Sequence, residues 1–336
     1  GGISLVAIVS CAFFAAISGS SAATTAAIGG IMYPEMVKRG YPSDYSTAVQ
    51  AVGGTLGIII PPSIVFVIYG STNGVSISKL LMSGMLPGIL TAVVLCLYGY
   101  VVAKKENFPK SFDQFSLKRV LKSLKGAVWA LMMPLIILGG IYGGIFTPTE
   151  SAMIACAYGL VVSFFVTKEL TVKNFFDVVS KTAASTANVT VMFLAAQVFG
   201  FLIAYYDITT TIANFFVAVS PNWIIFMGLV FILLTITGMF MEVGATNVIL
   251  SPLLAPVAAA FGIDPIHFGM VFVFLLALGQ ATPPFGSTMF IACGISGERV
   301  AAVIRRLLPF VLVEYACALV FAYVPWFSTF LPSLMA

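Results

Sequence analysis

Charge is what this sequence has least of. Lys and Arg number 16 and Asp and Glu 12 among 336 residues, only 8% in all, against 60% hydrophobic residues and a mean hydropathy of +1.08. That balance excludes an ordinary soluble domain, in which about a quarter of residues are charged. The net charge of +4 says little until it is mapped onto a topology, and no nucleic-acid partner is expected. Histidine is almost missing. His267 is the one copy, so there is no His-Glu-x-x-His motif; paired intramembrane aspartates and a serine with a plausible base are also lacking, which disfavours an intramembrane enzyme. His267 begins a span and reads as an interfacial residue rather than a proton relay. The five cysteines, Cys11, Cys96, Cys156, Cys293 and Cys317, stand singly in apolar sequence without Cys-x-x-Cys spacing, and read as small packing residues rather than metal ligands or disulfides. The short alternating segments of an outer-membrane barrel do not occur, so the spans are helices. Gly1 opens directly into apolar sequence, with no charged leader before it, and the sequence reads as part of a longer chain.

What is present is apolar sequence of spanning length, recurring from end to end. The fold class predicted is therefore an all-α polytopic membrane protein. Its apolar stretches are interrupted at Ser18-Gly19-Ser20-Ser21-Ala22-Ala23-Thr24-Thr25 and at Pro61-Pro62, and again at Gly244-Ala245-Thr246-Asn247 and Pro283-Pro284. Breakers and small polar residues at membrane depth free backbone groups, which hydrocarbon tolerates only where they are buried or line a cavity. The pattern predicts a re-entrant hairpin over residues 3–36 with its tip at Ser18 to Ser21, each arm near half of the roughly 20 residues a crossing needs. A span over 43–71 broken at 57–63 follows, then a crossing over 80–103.

Residues 106–125 mix Lys110, Lys118, Arg119, Lys122 and Lys125 with Phe108, Phe112, Phe115 and Leu121, the pattern of an interfacial helix. Crossings over 127–145 and 150–167 flank Thr147-Pro148-Thr149-Glu150, which reads as a capping box, with Thr147 as N-cap and Pro148 first in the helix, rather than as a substrate group. A second interfacial arm over 168–184 precedes a crossing over 185–206, and 207–222 form a loop. A second hairpin over 223–261, with its tip near Glu242 to Asn247, leads to a broken span over 266–296 and a last span over 307–325. If the first hairpin opens to the cytoplasm, every Lys and Arg except Lys79 falls on the cytoplasmic side, as the positive-inside rule requires. The second hairpin's exit, Phe261-Gly262-Ile263-Asp264-Pro265, carries no basic residue and opens to the other face.

An internal repeat links the two interruptions. Pro34 and Pro256, Gly40 and Gly262, Gly57 and Gly279, Pro61 and Pro283, Pro62 and Pro284, and Pro87 and Pro309 are each 222 residues apart. An odd number of crossings separates the two units, so they are inverted. Inverted repeats with discontinuous helices characterise many secondary transporters, with substrate and ions near the midplane. A passive channel is the rival that this pattern speaks against.

Na⁺ is a hard cation that takes oxygen ligands, and interrupted helices supply carbonyls without a buried carboxylate. Ser18, Ser20 and Ser21 facing carbonyls around Gly57 to Pro61 form one candidate cage. Thr237, Thr246 and Asn247 facing Ala281 to Pro283 form the other. Ser63, Thr55, Thr282, Ser287 and Thr288 are the remaining nearby hydroxyls. The competing reading is that these residues only permit close helix packing and bond locally. Helix N-termini after each tip and each Pro pair suit an anionic substrate. Candidate substrate contacts are Ser20, Ser21, Thr24 and Thr246 at the tips, with Thr55, Ser63, Thr282, Ser287 and Thr288 around them. Glu242 reads equally as a cation or proton ligand and as a bond to the hairpin backbone. Glu314, inside the last span, reads as a bond to a neighbouring helix.

The segments Ser18 to Gly29, Met36-Val37-Lys38-Arg39-Gly40-Tyr41, Gly57 to Ser63, Gly144 to Glu150 and Gly279-Gln280-Ala281-Thr282-Pro283-Pro284 together resemble the large membrane subunit of the tripartite ATP-independent periplasmic (TRAP) transporters, DctM-like proteins of the ion transporter superfamily. The resemblance covers nearly the whole chain. It implies a Na⁺-driven importer of small organic acids, of the sialic acid or C4-dicarboxylate class, in the bacterial inner membrane. Partners implied are a small membrane subunit, separate or fused, and a periplasmic substrate-binding protein. A rival of the same class is a divalent-anion/Na⁺ symporter that needs no binding protein. By analogy with such symporters, Ser18, Ser20, Ser21, Gly57, Ile59 and Pro61 would serve one Na⁺ and Thr237, Gly244, Asn247, Ala281 and Pro283 a second, so at least two sites are expected. An elevator motion is also implied. Residues 1–79 and 223–299 would then form the transport domain, 80–222 the scaffold with its interfacial arms, and 300–336 the final scaffold helix. Family members normally carry further N-terminal helices.

Overall fold

The computed structural model describes residues 2–109 and 117–335, and every regular element among them is helical. Among the described residues six helices are long and apolar enough to cross a membrane, or seven if a last pair bent by 81° is taken as one span. The chain is a multi-pass membrane protein. It divides into two compact units, one of Gly1–Ser111 with Ala196–Ala336 and one of Phe112–Ala195.

The first unit begins with α1 (Gly2–Ser18) and α2 (Ser21–Lys38), two helices packed on each other and joined only by Gly19 and Ser20. The broken span follows as α3 (Ser43–Ile59) and α4 (Ile64–Asn73), and then α5 (Ile77–Lys105). After the second unit the pattern returns. Helices α10 (Trp223–Phe240) and α11 (Val243–Ala260) form a second helix pair, α12 (Pro265–Gly279) and α13 (Ser287–Ser296) are two shorter apolar helices separated by a break, and α14 (Val300–Tyr323) follows. The short α15 (Trp326–Thr329) folds back at the end.

The helix boundaries keep the offset of the sequence. Helices α2 and α11 start and end 222 residues apart, as do their N-caps, Ser20 and Glu242. Gly40 and Gly262 both have positive φ, and both Pro-Pro bonds are cis. The apolar broken helices lie at the centre of the unit: α3 is buried from Tyr45 to Ile59 and α12 from His267 to Gly279. Helix α12 is apolar on almost every side, as a helix buried on all sides is, whereas α3 carries Ser46, Thr47, Gln50 and Thr55 into the core; α1, α2, α13 and α14 pack around α3 while α10, α11 and α14 pack around α12.

The two halves also interleave. The outgoing hairpin arm α2 packs on α13, and the outgoing arm α11 packs on α4. Tyr33 donates to the Ser296 carbonyl at 3.2 Å across the first contact, and Asn73 Nδ2 donates to Ser251 Oγ at 2.8 Å across the second.

Several boundaries differ from the expectations. The hairpin arms are 17 or 18 residues long, not about half a span, because the hydroxyl residues after each tip are helical. Thr25 donates to the Ser21 carbonyl and Thr246 to the Glu242 carbonyl, each at 2.9 Å, so these hydroxyls are satisfied inside the helix. The second tip is accordingly just Met241 and Glu242, and Asn247 lies within α11. The loop expected over 207–222 is instead α9 (Ile208–Val219), begun at Asp207, whose carboxylate accepts from Thr210 at 2.6 Å. The last span starts at Val300, ahead of Arg305 and Arg306.

In the second unit α6 (Leu117–Tyr142) packs on α7 (Pro148–Val161), which ends in a π turn over Val162–Val166. The expected interfacial helix over 106–125 falls partly outside the described residues, and from Leu117 on it is continuous with the crossing. Lys and Leu are good helix formers, and no strong breaker separates 117 from 125. The arm expected over 168–184 is likewise one helix with its crossing, α8 (Val172–Tyr205). Its Thr182, Thr186 and Thr190 each donate to the carbonyl four residues back. Glu150 closes the expected capping box, its carboxylate accepting from Thr147 N at 2.8 Å.

Candidate functional site

The first hairpin tip sits in the break between α3 and α4. Ile64 N donates to the Gly19 carbonyl at 3.3 Å, so the start of α4 is tied to the tip. Ser18 Oγ lies 2.8 Å from Thr24 Oγ1, Ser20 N donates to Ser18 Oγ at 3.4 Å, and Ser20 Oγ caps α2 by accepting from Ala23 N at 3.4 Å. Gly57 lets this cluster approach α3. A Cβ there would stand 2.5 Å from the Ser20 carbonyl and 2.6 Å from Thr24 Oγ1, closer than any side chain allows. The structure thus brings Ser18, Ser20, Thr24 and Gly57 together, with Pro61 and Ser63 buried in the adjoining break. Ser21 Oγ and Ser63 Oγ are buried and make no hydrogen bond. The Ile59 carbonyl lies against Gly84 of α5.

The second tip is held differently. Its hairpin meets α12 backbone to backbone at Gly238 and Gly279, where a Cβ on Gly279 would stand 2.6 Å from the Gly238 Cα. Glu242 caps α11, accepting from Ala245 N at 2.9 Å, so the bond to the hairpin backbone is present. Thr237 is half-buried and donates to the Leu233 carbonyl at 2.9 Å. Gly244, Thr246 and Asn247 are buried on the first turns of α11. Asn247 Nδ2 reaches across to the Val65 carbonyl of α4 at 3.0 Å, while its Oδ1 is buried without a hydrogen bond.

In the second break Ala281 is buried. Thr282 donates to the Leu278 carbonyl at 2.7 Å and lies 3.2 Å from the Tyr315 hydroxyl, and Thr288 donates to the Gln280 carbonyl at 2.9 Å. Pro283 is half-buried and Ser287 exposed. Thr55 faces away from the tip, its hydroxyl 2.5 Å from Glu314 of α14, so Glu314 has the neighbouring-helix bond expected of it. His267 is buried at the start of α12, its ring nitrogens 2.7 Å from Ser328 Oγ and 3.1 Å from the Ala322 carbonyl.

Two groups escaped the sequence reading. Gln280 Oε1 is a further buried oxygen without a partner, and it lies inside a segment already singled out. The Val65 carbonyl, by contrast, had no sequence signal, because nothing in the order of residues says that α11 crosses α4.

Electrostatically the tips differ. Ser20 is a neutral cap, whereas Glu242 puts a carboxylate on the N-terminus of α11. The helices after the two breaks, α4 and α13, begin without any side-chain cap, leaving amide donors at their N-termini. Among the described residues no three His, Cys, Asp or Glu gather as a metal centre. What the breaks offer is hydroxyl, carboxamide and carbonyl oxygen, a donor set for hard monovalent ions and for hydrogen bonds to an acid.

Comparison with known proteins places this geometry in context. The family model described as "Tripartite ATP-independent periplasmic transporter, DctM component" matches residues 1–327. The isethionate TRAP transporter permease protein DctMQ of Oleidesulfovibrio alaskensis is 42% identical over 97% of this chain and 51% of its own length. The C4-dicarboxylate TRAP transporter large permease protein DctM of Vibrio cholerae is 37% identical over 100% of this chain and 78% of its own. The sialic acid TRAP transporter permease protein SiaT of Haemophilus influenzae is 33% identical over 100% of this chain and 54% of its own. The chain thus spans about half the length of two of these relatives.

Proposed function

Because the chain belongs to the family of DctM components of tripartite ATP-independent periplasmic transporters, we propose that it is the membrane path of a Na⁺-coupled symporter. It imports a small organic acid, of the C4-dicarboxylate or sialic acid class, across a bacterial inner membrane. A periplasmic binding protein delivers the acid, and a small membrane subunit, separate or fused, completes the assembly.

The observation that carries this reading is the set of buried oxygens left without hydrogen bonds at both interruptions: Ser21 Oγ and Ser63 Oγ at the first, Asn247 Oδ1 and Gln280 Oε1 at the second. Unpaired buried oxygens also occur elsewhere, as at Ser46 and Tyr69, but those at a broken helix suit an ion that supplies the missing partner. One Na⁺ takes Ser18, Ser20 and Ser21 with carbonyls of Gly57, Ile59 and Pro61; a second takes Thr237, Gly244, Asn247, Ala281 and Pro283. The acid binds between the tips, contacting Ser20, Ser21, Thr24, Ser63, Thr246, Thr282, Ser287 and Thr288, while Thr55, bonded to Glu314, drops out of the set expected from the sequence. With no Lys or Arg among these residues, the bound cations and the uncapped N-termini of α4 and α13 balance its charge. Both hairpins and both broken spans move together as an elevator against the remaining helices. The inverted repeat behind that motion is supported by the shared 222-residue offset of the caps and helix ends.

Uptake into vesicles holding the complete transporter, with an imposed Na⁺ gradient and with or without the binding protein, tests the proposal. Uptake that needs both supports it. Uptake indifferent to the binding protein alone favours a direct divalent-anion/Na⁺ symporter, and uptake indifferent to both refutes the reading.

A further inference from the structure

Glu314 is fully buried on α14, and among the described residues it forms no ion pair. Its Oε1 lies 2.5 Å from Thr55 Oγ1 on α3, and Thr55 Oγ1 lies 2.7 Å from the Val52 carbonyl one turn back. A threonine hydroxyl owns one hydrogen, and here it has two oxygen neighbours at bonding distance. If that hydrogen goes to the Val52 carbonyl, the one between Thr55 and Glu314 belongs to Glu314. If it goes to Glu314, Thr55 Oγ1 and the Val52 carbonyl stand 2.7 Å apart with no hydrogen between them, and an ionised carboxylate keeps its Oε2 buried with no partner at all. Burying an unpaired charge costs far more than burying an unpaired neutral carbonyl. Only the neutral acid satisfies both short contacts.

The surroundings supply no charge to change that balance. Facing α14 from α3 are Asp44 and Tyr45, from α5 Tyr98 and, past its end, Glu106. Asp44 and Glu106 pair with Arg306, while the rings of Tyr45 and Tyr98 meet Phe310 tilted and edge-on, nearer the start of the helix. From α12 His267 bonds Ala322, toward the other end. Helix α10 has no titratable residue, and α13 has only Cys293. On α14 itself the titratable residues nearest Glu314 in sequence are Tyr315, whose hydroxyl lies 3.2 Å from Thr282 Oγ1, and Cys317.

We propose that Glu314 is a proton-binding site in the seam between α3 and α14: it carries a proton in this conformation and donates it to Thr55. The site is distinct from the Na⁺ cages and does not rest on the coupling ion. Loss of the proton leaves an unpaired carboxylate in the seam, so alkaline conditions disfavour the α3–α14 contact.

Infrared difference spectra of the intact transporter test this. A carboxylic-acid carbonyl band is expected at neutral pH in the wild type, absent in Glu314→Gln. In Thr55→Val the band is expected to shift to higher frequency, because the acid loses its acceptor; this variant keeps Glu314, so the test survives if Glu314→Gln does not assemble. Thermal unfolding is expected at lower temperature in alkaline than in neutral buffer for the wild type, with a smaller shift in Glu314→Gln. A band absent from the wild type, or unmoved in Thr55→Val, overturns the proposal. So does a band that disappears on raising Na⁺ at constant pH, which would make the seam a cation site.

Discussion

Asn73 on α4 and Ser251 on α11 share a 2.8 Å hydrogen bond, and the residues 222 positions from each of them, Ile295 on α13 and Gly29 on α2, face one another as well. A contact in one half therefore has its counterpart in the other, with partners exchanged. Each hairpin is gripped by the other half's broken span.

That grip is measurable. In a double-mutant cycle, Asn73→Ala and Ser251→Ala are expected to couple by ~0.6 kcal/mol and at most ~1.7 kcal/mol, the range of interhelical hydrogen bonds in membranes. Equilibrium unfolding in detergent checks it, and strictly additive effects would show that the bond contributes nothing.

Gly57→Ala is expected to cost ~1–3 kcal/mol of stability and to abolish most uptake, since its Cβ would enter the space of the Ser20 carbonyl and Thr24 hydroxyl. Gly30→Ala is the control. It is exposed on α2 with nothing near its Cβ position, and is expected to be neutral or slightly stabilising. Equal behaviour of the two variants in unfolding and uptake would contradict the packing described for Gly57.

Asn247→Ala removes the bond to Val65 and the free Oδ1 together. The expected loss of ~1–2 kcal/mol corresponds to roughly a 5- to 30-fold rise in the Na⁺ concentration for half-maximal uptake. Ser20→Ala is expected to shift the same quantity in the same direction. If neither variant alters the Na⁺ dependence, these residues leave the list of ligands.

Arg306 joins Asp44 at 3.2 Å and Glu106, linking the start of α14 to the start of α3 and the end of α5. The side chains are about a third exposed, so Arg306→Met is expected to cost only ~0.5–1 kcal/mol. The difference between wild type and variant should shrink at high salt. A salt-independent difference in melting temperature would point to packing instead of charge.

Much of the fold was legible because membrane insertion writes it into composition. The hydroxyl run at Ser18 to Thr25 and the two Pro pairs marked the breaks, since a polar or proline interruption has few other uses at that depth. The offset between Gly57 and Gly279 related the second interruption to the first. Helix continuity was less legible. Lys118, Arg119 and Lys173 were read as lying at an interface, yet lysine and arginine also propagate helices, and α6 and α8 run on through them. The Thr-rich run after Asp207 looked like a loop because threonine favours turns, but its intervening apolar residues carry α9. Contacts between distant segments left no trace in local pattern, and so the Asn247–Val65 and Thr55–Glu314 bonds emerged only from the packing.

The interleaving also bears on how the chain is made. Tyr33 and Ser296 are 263 residues apart, and Thr55 and Glu314 are 259 apart. At the ordinary pace of synthesis the first hairpin waits about 15–50 s before α13 leaves the ribosome. During that interval its tip lies in or beside the bilayer with half of its final surroundings missing. Hydroxyls that can bond back to their own helix, as Thr25 does to the Ser21 carbonyl, endure such a wait.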